Sequence, residues 1–176
     1  MFVAHLPAGY LLTRQLAKVY PECKWASLMG VGLVAAVAPD LDLIYHYTLD
    51  NRVHPHHSYA THTPFFWLVA AGLSCAILCT ARRRQWLPYV VIALANVLLH
   101  LVLDSVAAEI HWLWPFSNVA VNLVQVPSGR DPWFLNFVLH WTFWLEIGIV
   151  GLGLMFLVWD VMRARRAGSD VPDRTG

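Results

Sequence analysis

The sequence is short of charge. Only 13% of its 176 residues are charged, whereas 58% are hydrophobic, and the mean hydropathy is +0.52. Soluble domains carry about 25% charged residues, so this chain has roughly half of what water requires. The formal net charge of +1 gives no reason to expect a nucleic-acid partner. The composition therefore excludes an ordinary soluble domain and predicts an integral membrane protein.

Cysteine is scarce as well. Cys23, Cys75 and Cys79 have neither the number nor the spacing of a disulfide framework or a zinc ribbon. The first residues lack a basic region and a clean cleavage site, so no removable signal peptide is predicted. Aromatic residues are abundant instead. Nine tryptophans and six tyrosines are typical of a protein that is anchored at two membrane–water interfaces.

Long apolar runs predict the fold. A membrane-spanning helix needs about 20 apolar residues, and residues 86–108 and 133–162 meet this requirement. Residues 64–80 are at the short limit, and two earlier segments within residues 1–39 are predicted to span only in part or to lie against the others. We predict an all-α membrane bundle of about four to five helices. Residues 1–167 form its single domain, and residues 168–176 form a disordered cytoplasmic tail.

Basic residues predict the orientation of the bundle. Arg82, Arg83 and Arg84 follow one apolar segment, and a second basic cluster at residues 163–166 follows another. The excess of basic residues on the cytoplasmic side places both clusters there. The resulting multi-pass topology brings the histidines and aspartates of several segments to the non-cytoplasmic end.

A polar stripe marks the fourth segment. Asn96, His100 and Asp104 follow one another at intervals of four residues and therefore share one helix face. A charge inside a membrane helix costs at least about 2.5–3.5 kcal/mol unless it is neutralised. A bound divalent cation would neutralise it. A His–Asp hydrogen bond that ties two helices together is the alternative.

Two further motifs carry possible ligands. Pro39-Asp40-Leu41-Asp42 ends an apolar segment, and carboxylates bind zinc, magnesium or manganese. The same motif is also typical of a turn or a helix cap. Residues 54–62 include four histidines, and imidazole is the commonest metal ligand at neutral pH, although a pH sensor is the alternative.

Together these motifs predict a divalent-metal site, with zinc preferred and manganese or magnesium as alternatives. Asp42 is also the preferred general base. A second set of residues is predicted to surround the ligands or to act structurally. The predicted ligands are His5, Asp40, Asp42, His57, His62, His100 and Asp104, and the surrounding residues are Asn96, His111, His140 and His56.

In this order the motifs resemble the YdjM-like family of LexA-regulated, membrane-bound, metal-dependent hydrolases of the inner membrane. The matching pieces are His5, Pro39-Asp40-Leu41-Asp42, His57 with Thr61-His62-Thr63, His100 with Asp104, and Trp114-Pro115-Phe116. More distantly, the pattern is similar to the zinc-dependent phospholipases C. The later His–Glu pair of those enzymes has no match here, which implies one or two metals rather than three.

The resemblance implies a membrane-bound hydrolase that cleaves a phosphoester, of a lipid or a lipid-linked compound, with a metal-activated water. Membrane lipids are the expected partners. Two alternatives stay open. One is a transporter or sensor of divalent metal that uses the same ligands, and the other is a non-catalytic membrane protein with a structural metal site.

Overall fold

The computed structural model describes residues 3–127, 129–132 and 134–169. These residues form helices joined by loops, with a single isolated β-bridge between Ile110 and Val121. The all-α prediction is confirmed. The helices of the described residues are α1 (His5–Leu16), α2 (Trp25–Val37), α3 (Asp42–Thr48), α4 (Pro64–Thr80), α5 (Leu87–Asp104), α6 (Leu135–Val138) and α7 (Thr142–Ser169).

Two helical segments of the described chain are long and apolar enough to cross a membrane. They are Arg84–Asp104 and Thr142–Arg166, which agrees with the two clear spans predicted from hydropathy. A third span results if α2 and the segment Pro39–Thr48 are counted together, and these two are bent by 54° where they meet. Helix α4 has 17 residues and is shorter than a full span. The further crossings and the side that the site faces stay predictions.

The two spanning helices do not begin and end where the apolar runs of the sequence do. Helix α5 stops at Asp104, and α7 begins at Thr142, well after the start of the apolar run at residue 133. Asn136 explains part of this difference, because its side chain accepts the N–H of Arg130 at 3.0 Å and donates to the same residue's carbonyl at 3.2 Å. This pairing closes a loop before the helix. The predicted tail lies outside the described residues, except that α7 continues to Ser169.

The core is formed by α1, α2 and α5, which approach one another closely. A Cβ atom placed on Gly9 would lie 2.5 Å from the Cβ of Ala36, and one placed on Gly32 would overlap the hydroxyl of Thr13. Small residues at such positions allow helix backbones to come together in a membrane. These three helices therefore form a tightly packed frame for the side chains that they carry at their ends.

Helix α7 is attached to this frame by a charged pair. Arg14 donates from Nε and Nη2 to the two carboxylate oxygens of Asp160 at 2.7 and 2.9 Å, and the Tyr10 hydroxyl donates to the same carboxylate at 2.6 Å. A bidentate pair fixes orientation as well as distance. It fixes α7 against α1 far from the end at which α1 begins.

The polar residues meet at one end of the bundle. Helix α1 begins there with His5, α5 ends there with Asp104, and Asp40 follows the end of α2. His62 lies two residues before the start of α4. Segments that are distant in the sequence thus place their polar side chains together, as the topology predicted.

Candidate metal centre

The polar stripe of α5 supplies the centre of the cluster. His100 and Asp104 are each 1% exposed, and Nε2 of His100 lies 2.9 Å from Oδ2 of Asp104. Nδ1 of His100 lies 2.8 Å from the backbone carbonyl oxygen of Ala36. Because a carbonyl only accepts, the proton of a neutral ring sits on Nδ1 and leaves the Nε2 lone pair facing the carboxylate. Two such electron-rich atoms need a cation or a proton between them.

His62 approaches the same point from the loop before α4. Its side chain is fully buried, and its Nε2 lies 3.7 Å from Oδ1 of Asp40 and 3.8 Å from Oδ2 of Asp104. Its other ring nitrogen, Nδ1, lies 2.9 Å from Oδ2 of Asp42. The ring is therefore held from behind, with Nε2 directed into the cluster.

His5 completes the cluster from α1. Its Nε2 lies 3.1 Å from Oδ1 of Asp104, and its ring stacks on that of His100 with 4.0 Å between centroids. The Asp104 carboxylate thus presents one oxygen to His5 and the other to His100. A carboxylate in this position can bind a metal ion through either of its two oxygens.

These donor atoms fit a metal ion. Four ligand atoms, one each from Asp40, His62, His100 and Asp104, lie within 4.8 Å of one another. Ligands at 2.0–2.1 Å from a tetrahedral zinc ion are about 3.3 Å apart, and the observed N···O separations of 2.9, 3.5, 3.7 and 3.8 Å bracket that value. The Nε2 atoms of His5, His62 and His100 are buried and make no hydrogen bond in the described structure. Buried imidazole nitrogens without a hydrogen bond are rare, and ligation would account for them.

A second group of possible ligands adjoins the first. It consists of His56, His57 and His62. Nε2 of His57 lies 3.7 Å from Oδ2 of Asp104, so the two groups share both His62 and a neighbouring carboxylate. Burial and the adjacent His56 ring lower the pKa of His57 to about 3. His57 is therefore neutral at physiological pH and able to bind a metal.

His62 behaves in the opposite way. Burial alone would lower its pKa, but the neighbouring carboxylates of Asp40 and Asp42 outweigh burial and raise the pKa to about 9. At neutral pH the metal-free ring therefore holds a second proton. A metal ion that binds at Nε2 must displace this proton, which makes its affinity depend on pH.

Asp42 lies behind the cluster rather than among the four ligand atoms. Its carboxylate is 3.1 Å from Nδ1 of His56 and 2.9 Å from Nδ1 of His62, and it accepts the hydroxyl of Thr61. This is the arrangement of a carboxylate that orients a metal-binding histidine. The assignment of Asp42 as a ligand and general base stays a prediction, and the geometry favours the orienting role.

The residues predicted to surround the ligands are found in different places. His56 contacts Asp42, and His111 lines the cavity described below. Asn96 donates to the Thr13 hydroxyl at 2.9 Å, so it ties α5 to α1 one turn below His100. His140 contacts the Thr142 hydroxyl at 2.9 Å and belongs to neither ligand group of the described residues.

A cavity of about 900 Å³ opens beside the ligands. Asp40, His57 and Asp104 form part of its lining, so the cluster is accessible from one side. Two more charged side chains, Glu146 and Arg52, also line it. The sequence pattern predicts no more than a surrounding or structural role for Glu146. Glu146 is at this level because α7 begins only at Thr142, which no hydropathy pattern indicated.

The fold and the cluster define an all-α membrane protein with a buried histidine–aspartate group whose donor atoms could hold a metal ion. A family model described as the YdjM inner membrane protein matches residues 1–167, and the chain belongs to that family. Comparison with curated proteins and comparison with solved structures gave no match.

Proposed function

We propose that the protein is a membrane-bound metal-dependent hydrolase that cleaves a phosphoester of a lipid or lipid-linked compound. The observation that carries the proposal is the convergence of three buried imidazole Nε2 atoms on the Asp104 carboxylate, beside an open cavity. A structural site closes its coordination, whereas a catalytic one keeps a position open for water or substrate. A cavity that reaches the ligands supports the catalytic alternative.

The residues that would hold the metal are Asp40, His62, His100 and Asp104, with His5 and His57 at the edges of the same cluster. Three imidazoles with carboxylates suit zinc, and manganese or magnesium remain alternatives. When bound, the metal would lower the pKa of a coordinated water to about 7 and polarise the phosphoester.

The protein's own groups have separate tasks in this proposal. The Ala36 carbonyl and the Asp42 carboxylate fix the rings of His100 and His62 by their Nδ1 atoms. Glu146 lines the cavity and accepts the N–H of Val3 at 2.7 Å, which fixes its carboxylate at the wall. We assign to Glu146 the acceptance of the proton from the attacking water, because Glu146 lines the cavity beside the ligands whereas Asp42 lies behind the cluster and is not part of the lining.

The lipid part of the proposal depends on where the site lies. Phe65, in the first turn of α4, contacts Trp114 and Phe116 with ring centroids 5.9 and 6.0 Å apart. Phe116 is 85% exposed, which is unusual for a large apolar side chain. Aromatic residues concentrate at the level of the lipid headgroups. The ligand cluster at the same end of the bundle is therefore expected at headgroup depth, where a phospholipid presents its ester.

The packing below the cluster bears on the transport alternative. A transported ion needs a polar route through the midplane. Directly below His100 the core is closed by the Asn96–Thr13 hydrogen bond and by the close approach of α1 and α2 at Gly9. This packing gives no support to a route for ions and favours the hydrolase.

The test compares metal content and hydrolysis in the same samples. Detergent-purified protein would be loaded with zinc or manganese, and hydrolysis of bis(p-nitrophenyl) phosphate would be measured for wild type, His100→Ala and Asp104→Ala. Glu22→Ala, an exposed substitution outside both ligand groups, is the control. We expect both cluster variants to lose stoichiometric metal and activity. Full activity in both variants would refute the proposal, and bound metal without hydrolysis of this or any phospholipid would favour a structural site.

A further inference from the structure

The cavity beside the cluster has an uneven charge. Asp40, Asp104, Glu109 and Glu146 line it, and a phosphoester would be repelled by these carboxylates. Among the described residues of its lining, Arg52 alone carries a fixed positive charge. Any anion that enters the cavity would meet either a bound metal or this guanidinium.

The backbone at Arg52 is held in an uncommon conformation. Asn51 and Arg52 have φ angles of 50° and 64°, in the left-handed region that residues other than glycine rarely adopt. Such a conformation costs free energy, and persists only where neighbouring contacts fix it. Two contacts do so here. The Arg52 N–H donates to the carbonyl of His46 at 3.1 Å, and the carboxylate of Asp50 accepts the N–H of His54 at 2.9 Å.

The guanidinium of Arg52 lies over the aromatic ring of Tyr47. Its guanidinium carbon lies 4.6 Å from the ring centroid of Tyr47, which lines the same cavity. Stacking uses the face of the guanidinium and leaves its in-plane N–H groups for an acceptor. In the described structure this guanidinium takes part in no ion pair, whereas Arg14 is paired with Asp160.

Tyr47 and Arg52 line the same cavity as two of the possible ligands, Asp40 and Asp104. Helix α3 begins at Asp42, and Tyr47 follows five residues later. At 1.5 Å per residue the two positions are about 7.5 Å apart along the helix. A substrate that fills this cavity would therefore meet both the ligand cluster and the guanidinium.

We propose that Arg52, stacked on Tyr47, is the residue that selects an anionic substrate by binding phosphate oxygens. The inference rests on the proposed hydrolase function and specifies its substrate class. The planar guanidinium can donate two parallel hydrogen bonds to one phosphate, which an ammonium group cannot do. The same chemistry would recognise a phospholipid headgroup or a free phosphate.

The test separates substrate binding from catalysis. Arg52→Gln and Arg52→Lys would be compared with Arg130→Gln, a change at an exposed arginine that is not part of the cavity lining. With bis(p-nitrophenyl) phosphate we expect Arg52→Gln to raise KM about tenfold or more and to leave kcat and metal content nearly unchanged. Arg52→Lys should fall between wild type and Arg52→Gln. Equal KM values for Arg52→Gln and Arg130→Gln would overturn the inference.

A binding measurement keeps the inference independent of turnover. Binding of inorganic phosphate, and of vesicles containing phosphatidic acid or only phosphatidylcholine, would be titrated against metal-loaded wild type and Arg52→Gln. Loss of phosphate binding in the variant supports the inference even if no substrate is hydrolysed, whereas unchanged binding of every probe overturns it. Preference for phosphatidic acid vesicles over inorganic phosphate would identify the anion as a lipid headgroup. Equal melting temperatures of the variants would exclude a folding defect.

Discussion

Replacing Asp42 by Ala distinguishes a residue that orients a ligand from a ligand itself. Asp42 contacts Nδ1 of His62 at 2.9 Å and Nδ1 of His56 at 3.1 Å, and it lies outside the four-atom ligand group. If it only orients His62, Asp42→Ala leaves all four ligand atoms in place. If it is a ligand, the same change removes one of them.

The size of the effect can be estimated from the surroundings of His62. Loss of a partner that orients a metal-binding histidine typically costs about 10- to 100-fold in metal affinity. The ring of His62 is fully buried and lies 4.6 and 4.9 Å from the rings of His56 and His57, which limit its rotation. We therefore expect the lower end of that range, about tenfold, or about 1.4 kcal/mol of binding free energy.

The assay is a competition titration with a zinc chelator on detergent-purified protein. Asp42→Ala should bind the same number of zinc ions as wild type, but with a higher dissociation constant. His100→Ala should lose the stoichiometric ion altogether. Glu22→Ala should match wild type. Complete loss of zinc in Asp42→Ala would show that Asp42 is a ligand, and wild-type affinity would refute the orienting role.

Three further predictions concern the frame and its pH dependence. Gly32→Ala should destabilise the protein by about 1–3 kcal/mol, because the added methyl would overlap the Thr13 side chain. Gly30→Ala, on the same helix, should not destabilise the protein, because the added methyl meets nothing within 4 Å. Thermal unfolding in detergent measures both variants. Asp160→Asn should lower the free energy of unfolding by about 2 kcal/mol, because it breaks the pair with Arg14. In a double-mutant cycle with Arg14→Gln, the double variant should lose less stability than the sum of the two single losses. In metal-free protein the raised pKa of His62 adds stability that is complete below pH 6.5 and is lost as the pH rises through about 9, and His62→Gln should remove this slope of melting temperature against pH.

Much of the cluster could be predicted because helical periodicity fixes which residues share a face. His100 and Asp104 are one turn apart on α5, and this alone placed them together. Asp40 and His62 could be predicted to lie near His100 and Asp104, because each follows or precedes an apolar segment that reaches the same end of the bundle. Orientation could not be predicted in the same way. Whether Asp42 faces the metal or the back of His62 depends on the path of the loop between α3 and α4, which no periodic pattern describes.

Other parts of the site leave no mark in a sequence. The Ala36 carbonyl that holds His100 is a backbone atom, and any residue at position 36 would offer one. Arg52 belongs to the cavity because two consecutive residues adopt positive φ angles, and neither Asn51 nor Arg52 is a glycine that would have indicated this. The level of Glu146 beside the cavity could not be predicted, because the start of α7 follows the loop that Asn136 closes.

The position of Asp104 at the very end of α5 has an energetic consequence. The last turn of a helix carries a partial negative charge, so a carboxylate there is disfavoured, and the last turn of α5 contains no basic residue to offset it. A divalent cation at the cluster would relieve this repulsion only in the folded protein. By mass action, a metal concentration 100-fold above its dissociation constant would add about 2.7 kcal/mol to the stability of the fold. The supply of metal would then govern how much folded protein a membrane contains, as well as whether that protein is active.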